Sequence, residues 1–306
     1  LSVMLDRESW KNRSNVTRFL SERLSSGHVM PFLGSGVSYF AQLPSWKNLI
    51  SDVAKQKNDA FSLPTEFEPY ILAQQILDSL YGGDKQEFYF AVHKGLYGGK
   101  DLSALHSLIL ADPGLRALTM LCNRSVRGGS RFIFTLNYDN ILEILLRDLG
   151  LVVKSVGEDR FLFDDADVSV FHPHGLLPID DVGKALERKI VITQSDGQHV
   201  SKTSWKPLLE VLLSKSFPVF IGVGGNSDLR FLDYLDDAGE HNYLHASRAY
   251  PFIGIRLCSA NDPSIAMFEN KRIKCIGFED LGKGWPSFVE DVCRLSAAKA
   301  AQRLSL

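Results

Sequence analysis

Twice in this chain a short, almost unbroken apolar run stops at glycines: Phe32-Leu33-Gly34-Ser35-Gly36 near the start, and Phe220-Ile221-Gly222-Val223-Gly224-Gly225 late on. The glycines let the backbone turn sharply, so each run reads as a buried strand entering a tight turn. Between and after them, further apolar runs that barely interleave polar residues alternate with helical windows. Strands buried on both faces belong to a parallel sheet covered by helices, so the pattern predicts a Rossmann-like, doubly wound α/β fold with a mostly parallel sheet.

The alternation has one long interruption. An amphipathic helix over about 6–25 precedes the first strand at 28–33. From residue 45 to 122 come five helical windows with no strand between them, near 46–55, 66–80, 85–96, 102–110 and 115–121. A plain βαβ rhythm does not contain such a stretch, which reads as a helical insertion or cap. Strands are then expected near 131–135, 151–156, 169–171, 218–223, 250–256 and 273–277, with a further one at 189–193. Helices are expected near 139–149, 205–214, 228–235, 263–268 and 285–295. The segment 180–202, rich in charge and turn residues, reads as a loop over the site.

Composition narrows the function classes. At 306 residues the chain is long enough for one α/β domain with an insertion, or for two small domains. With 45% hydrophobic and 23% charged residues, it is expected to be globular rather than disordered. A net charge of −2 gives no long-range pull on nucleic acid or on an anionic membrane, so neither is an expected partner. No run of about 18 apolar residues occurs, and the first residues are too polar for a signal peptide, which points to a cytoplasmic protein. Because the chain starts with leucine, its start is expected to be trimmed, which leaves open whether it is a fragment of a longer protein. The four cysteines, Cys122, Cys258, Cys275 and Cys293, contain no CxxC, so no zinc and no other metal site is expected.

Four motifs carry chemistry. Gly34-Ser35-Gly36-Val37-Ser38 would let the backbone approach a pyrophosphate, although Tyr39 replaces the third glycine of a dinucleotide fingerprint and a bland glycine turn reads equally well. Thr135-Leu136-Asn137-Tyr138-Asp139 ends a strand, where Asn137 and Asp139 would face the ligand crevice; Asp139 also suits a helix N-cap. Phe171-His172-Pro173-His174-Gly175 offers only two metal ligands, while a histidine near neutral pKa suits proton transfer; either histidine also reads as a loop residue with a structural hydrogen bond. Gly222-Val223-Gly224-Gly225-Asn226-Ser227-Asp228 would enclose the other half of a dinucleotide, or form a flexible turn with Asp228 as N-cap.

The order and spacing of all four resembles the sirtuin family, and more closely the divergent sirtuin-like domains of bacterial anti-phage defence proteins. Gly34-Ser35-Gly36-Val37-Ser38 looks like the family's glycine-alanine-glycine-x-serine loop, and Leu43-Pro44-Ser45-Trp46 like its isoleucine-proline-aspartate-phenylalanine continuation. Thr135 to Asp139 resembles the threonine-glutamine-asparagine-x-aspartate strand end. His174-Gly175 is similar to the pair that carries the catalytic histidine, and Gly222-Val223-Gly224 to the late glycine-x-serine turn. The resemblance runs from about Met30 to Leu295. It implies one sirtuin-like domain over 1–306, with an N-terminal helix at 1–25, a Rossmann-like core from 26–45 and 128–300, and the helical insertion at 46–127.

What the resemblance implies for function is cleavage of NAD, as substrate, at its nicotinamide–ribose bond. His174 would be the base and Asn137 the group that orients ribose or water. Ser35, Gly36 and Ser38, after Gly34, would cradle phosphate; Asp139 would support Asn137 or contact ribose; Trp46 would shield the nicotinamide side or simply belong to the core. Gly222, Gly224, Asn226 and Asp228 would hold the rest of the dinucleotide. The departures matter. Sirtuin deacylases carry a four-cysteine zinc module that frames the acyl-lysine groove, and no such cysteines stand here. Leu136 replaces a ribose-contacting glutamine, Ser45 an aspartate and Gly224 a serine. Water then becomes the expected acceptor, giving an NAD glycohydrolase. Rival readings are a deacylase or ADP-ribosyltransferase, a non-catalytic NAD or ADP-ribose sensor, and an oligomerising scaffold. The defence resemblance further implies a homo-oligomer whose activity is held off until infection, gated by a partner such as an ATPase of the HerA type or by a phage-derived trigger.

Overall fold

The computed structural model describes residues 8–38, 41–98, 100, 102–123, 128–157, 165–180, 190–196, 204–224 and 252–304. Seven strands form one sheet: β1 (Val29–Leu33), β2 (Phe132–Thr135), β3 (Val153–Val156), β4 (Val168–Phe171), β5 (Phe217–Ile221), β6 (Gly254–Ser259) and β7 (Ile273–Phe278). Every pairing is parallel and the order is β3-β4-β2-β1-β5-β6-β7. The helices are α1 (Arg13–Ser25), α2 (Trp46–Lys55), α3 (Pro69–Leu80), α4 (Lys85–Tyr97), α5 (Leu102–Ala111), α6 (Pro113–Cys122), α7 (Ile141–Asp148), α8 (Trp205–Lys215), α9 (Ile265–Asn270) and α10 (Leu281–Leu304). This is the expected Rossmann-like α/β architecture.

Strand side chains alternate between two cores, which explains the unbroken apolar runs. Val29 and Leu33 of β1, with Phe217, Val219 and Ile221 of β5, face the core that α1 to α7 and α10 share. Met30, Phe32 and Phe220 face the other core, covered by α8 and α9. There a row of phenylalanines crosses four adjacent strands: Phe220 and Phe32 lie 4.9 Å apart, Phe32 and Phe134 5.4 Å, and Phe134 and Phe171 6.2 Å, ring centre to ring centre. Trp205 of α8 sets its edge on Phe134 and Phe171. Each such ring, fully buried, contributes about 1.5–3 kcal/mol.

The chain winds outward from β1 through β2 to the β4–β3 edge, then returns to place β5 on the other side of β1. Winding therefore reverses between β1 and β5, and the crevice beyond the carboxyl ends of such strands is where α/β sheets take ligands. Within the helical stretch between β1 and β2, α2 packs on α3 and α4, and its later end is anchored where α6 lies along α10 and touches α7.

Two expectations change. The helix read over 6–25 is divided: a 3-10 turn at Ser9–Lys11 ends at Asn12, whose side chain accepts the Ser14 amide and starts α1. The strand read over 189–193 is not one in its described part, 190–193. There the Val191 amide donates to the His174 carbonyl of a turn instead of to a strand ladder. The helix expected over 228–235 lies outside the described residues. Among the described residues no helix is long and apolar enough to cross a membrane.

Candidate functional site

The two glycine turns meet at the switch point and lock together. After β1, Ser35–Val37 forms a single 3-10 turn. The Gly34 amide donates to the Ile221 carbonyl and the Gly36 amide to the Gly222 carbonyl, each at 3.0 Å. A Cβ on Gly34 would stand 2.5 Å from the Gly222 oxygen, and one on Gly36 2.8 Å from the Gly222 Cα. Gly222 has φ +69°, a left-handed conformation that glycine adopts without the Cβ penalty. These glycines let two backbones touch, and the Gly34 and Gly36 amides are spent on that contact. At the turn's outer surface, Ser35 is exposed and its hydroxyl has no hydrogen bond among the described residues.

The end of β2 joins this turn through side chains. Asn137 Nδ2 donates to the Gly34 carbonyl at 3.2 Å and to Ser38 Oγ at 2.9 Å. Ser38 in turn donates to Asp139 Oδ2 at 2.7 Å, and Asp139 Oδ1 accepts the Ile141 amide at the start of α7. The N-cap of α7 is Asn140 and not Asp139 as expected; Asp139 stands one residue earlier and holds the first helical amide from there. Burial pushes the Asp139 carboxyl up, the Ser38 hydroxyl opposes this, and nearby Glu143 adds to the rise. Asn137 Oδ1 makes no hydrogen bond among the described residues.

The two histidines part company. Residues 172–175 form a turn closed by the Gly175 amide donating to the His172 carbonyl, and Gly175 takes φ +88°, which accounts for the glycine after His174. His172 points inward with no exposed surface: Nδ1 donates to the Asn137 carbonyl at 3.0 Å and Nε2 lies 2.7 Å from Glu143 Oε1. Burial alone would lower its pKa, but Glu143 and the Asn137 carbonyl outweigh that and raise it. His174 points to the crevice. Burial lowers its pKa to about 4, opposed in part by a hydrogen bond to the Leu136 backbone. Its imidazole is therefore neutral at physiological pH, and the nitrogen that donates to Leu136 leaves the other as an acceptor.

A cleft of about 560 Å³, open to solvent, brings most of these groups together. Ser35, Ser38, Trp46, Asn137, Asp139 and His174, all singled out in the sequence, line it. Gly34, Gly36 and Gly222 form the lock beneath it, and Gly224 follows that lock without lining the cleft. Asn226 and Asp228 lie outside the described residues. The sequence reading missed the aromatic wall: Tyr70 of α3 stands edge-on to His174 at 6.5 Å and to Trp46 at 6.0 Å, and Tyr138 lies 6.4 Å from His174. Nothing local to Tyr70 marks it, since only packing of α3 brings it there. Glu143 was legible, being the lone charge in the apolar run Ile141-Leu142-Glu143-Ile144-Leu145-Leu146.

The loop after His174 is held from several sides. Tyr97 of α4 donates to the Leu177 carbonyl at 2.6 Å, the Tyr138 hydroxyl donates to the Val191 carbonyl, and Asn140 accepts the Ile179 amide. Burial, with Asp139 and Glu143 nearby, raises the Tyr97 phenol well above its ordinary value, so it stays a donor. Among the described residues no group of three or more His, Cys, Asp or Glu side chains is placed to hold a metal.

None of the curated proteins compared with this chain matches it. The family model described as SIR2-like domain matches residues 131–276, a span from the start of β2 into β7 that contains Asn137, Asp139, His172 and His174. The match supports a sirtuin-like, NAD-related function. This match, over a parallel sheet whose strand ends meet at one cleft, is consistent with a divergent sirtuin-like domain at residues 131–276.

Proposed function

We propose that the cleft hydrolyses NAD at its nicotinamide–ribose bond, giving nicotinamide, ADP-ribose and a proton. The observation that carries this reading is the meeting of a neutral His174 and the Asn137 carboxamide, from different strand ends, in one cleft beside Ser35 and Ser38. Glycosidic cleavage builds oxocarbenium-like charge on the ribose while nicotinamide departs neutral, so no strong general acid is needed. What the site must supply is a held ribose and a placed water. His174, with one nitrogen committed to Leu136, takes the proton from that water or from a ribose hydroxyl through the other. Asn137 donates inward and so keeps its Oδ1 for orienting the hydroxyl or the water.

A wall of Leu43, Trp46, Tyr70 and Tyr138 around His174 favours a small acceptor over a protein side chain. The test is chromatography of NAD incubated with purified protein and with H174A. General-base loss should cut turnover by about 10²–10⁴ while NAD binding survives. Equal NAD consumption by both proteins would overturn the assignment. The same reading includes control of a toxic activity through a homo-oligomer, an ATPase partner of the HerA type or a phage-derived trigger. Infected-cell lysate added to the assay should then raise nicotinamide release above that of the protein alone.

A further inference from the structure

Behind the cleft lies a hydrogen-bonded histidine–glutamate pair that the reaction as described does not use. His172 and Glu143 are 0% and 1% exposed, and neither lines the cleft. We propose that His172 and Glu143 are positioning residues which, by gripping the Asn137 main-chain carbonyl, aim the Asn137 carboxamide at the cleft. This rests on the reading of the cleft as an NAD-cleaving site.

Three elements converge on this pair. His172 comes from the turn after β4, Glu143 from the first turn of α7, and Ser155 of β3 donates to the same Glu143 oxygen at 3.0 Å. Both His172 nitrogens face acceptors, so the ring is held at two ends and cannot rotate without losing a bond. Asn137 is pinned on its amide side too, by Thr135 Oγ1 at 3.1 Å. Next to it lies only a water-sized space of about 10 Å³, lined by Ser38, Thr135, Asn137, Asp139 and Glu143. Asp139, from the end of β2, and the Tyr97 phenol of α4 lie within electrostatic reach of the pair, and Arg147 of α7 donates to the Ser155 hydroxyl that holds Glu143.

A buried polar pair is not needed to fill the space, because apolar residues of like volume often stabilise a core as well or better. What leucine cannot do is hold a carbonyl. Glutamine at 143 can preserve the arrangement: its amide would donate to Nε2 of a neutral His172, whose Nδ1 still donates to Asn137. The comparison is therefore H172L, E143L and E143Q, each assayed well below its melting temperature.

Misplacing a catalytic group by about 1 Å costs on the order of 10²-fold. H172L and E143L should lose turnover on that scale with KM for NAD little changed, while E143Q keeps most of it. The second readout is independent of activity: the Asn137 side-chain amide resonance in ¹⁵N-labelled protein, assigned with N137D, should move in H172L and E143L and stay in E143Q. A resonance unmoved by H172L overturns the proposal whatever the activity. If wild-type protein leaves NAD intact but the resonance moves, the positioning stands and the NAD-cleaving reading falls.

Discussion

Acidification tests the state of His174 directly. Its pKa, lowered to about 4 by burial, predicts a base still about 97% neutral at pH 5.5, whereas an unperturbed histidine would be about 9% neutral there. NAD cleavage measured as kcat/KM should thus be nearly flat from pH 8 to 5.5, about tenfold above what an ordinary histidine allows at the lower end. Stability moves in the same window. The unfolded chain protonates His174 near 6.5 and the folded one only near 4, so the fold loses at most about 3 kcal/mol as pH falls between them, less the screening its partly exposed ring receives. His172 and Asp139, both raised, act in the opposite sense, with stability present at low pH and lost as pH rises through their folded values. Initial rates should be followed by chromatography at constant ionic strength, with circular dichroism reporting the folded fraction at each pH. A one-proton fall in kcat/KM centred near 6.5, in protein that is still folded, would refute the neutral His174.

Two substitutions examine the scaffold. Gly222→Ala puts a Cβ 2.5 Å from the Val37 amide nitrogen at a left-handed φ, and should cost about 2–5 kcal/mol in denaturant unfolding. Gly224→Ala, where a Cβ meets nothing within 4 Å, should stay within about 0.5 kcal/mol, and equal losses at both would mean the lock does not exist. Ser38→Ala removes a donor to the Asp139 carboxylate and an acceptor for Asn137, so a loss of roughly 2 kcal/mol and a further rise in the Asp139 pKa are expected. Unchanged stability together with an unchanged acid limb would show that this triangle is not formed in solution.

The strands of the sheet and their parallel character were legible from the chain alone, because a strand buried on both faces must be apolar at nearly every position, as in Val29–Leu33 and Phe217–Ile221. Asn137 and Asp139 could be picked out because they follow the carboxyl end of a strand, which in a doubly wound sheet faces the ligand crevice, whereas His174 was chosen through the family resemblance. Local sequence could not say which of two histidines two residues apart faces the crevice. That follows from the turn closed at Gly175, which sends His172 to Glu143 and His174 to the cleft. Nor could it reveal that the glycines at 34, 36 and 222 spend themselves on one another, since their contact joins strands far apart in the chain. Tyr70 reaches His174 only through the packing of α3, and a helical periodicity carries no information about which neighbour its buried face will meet.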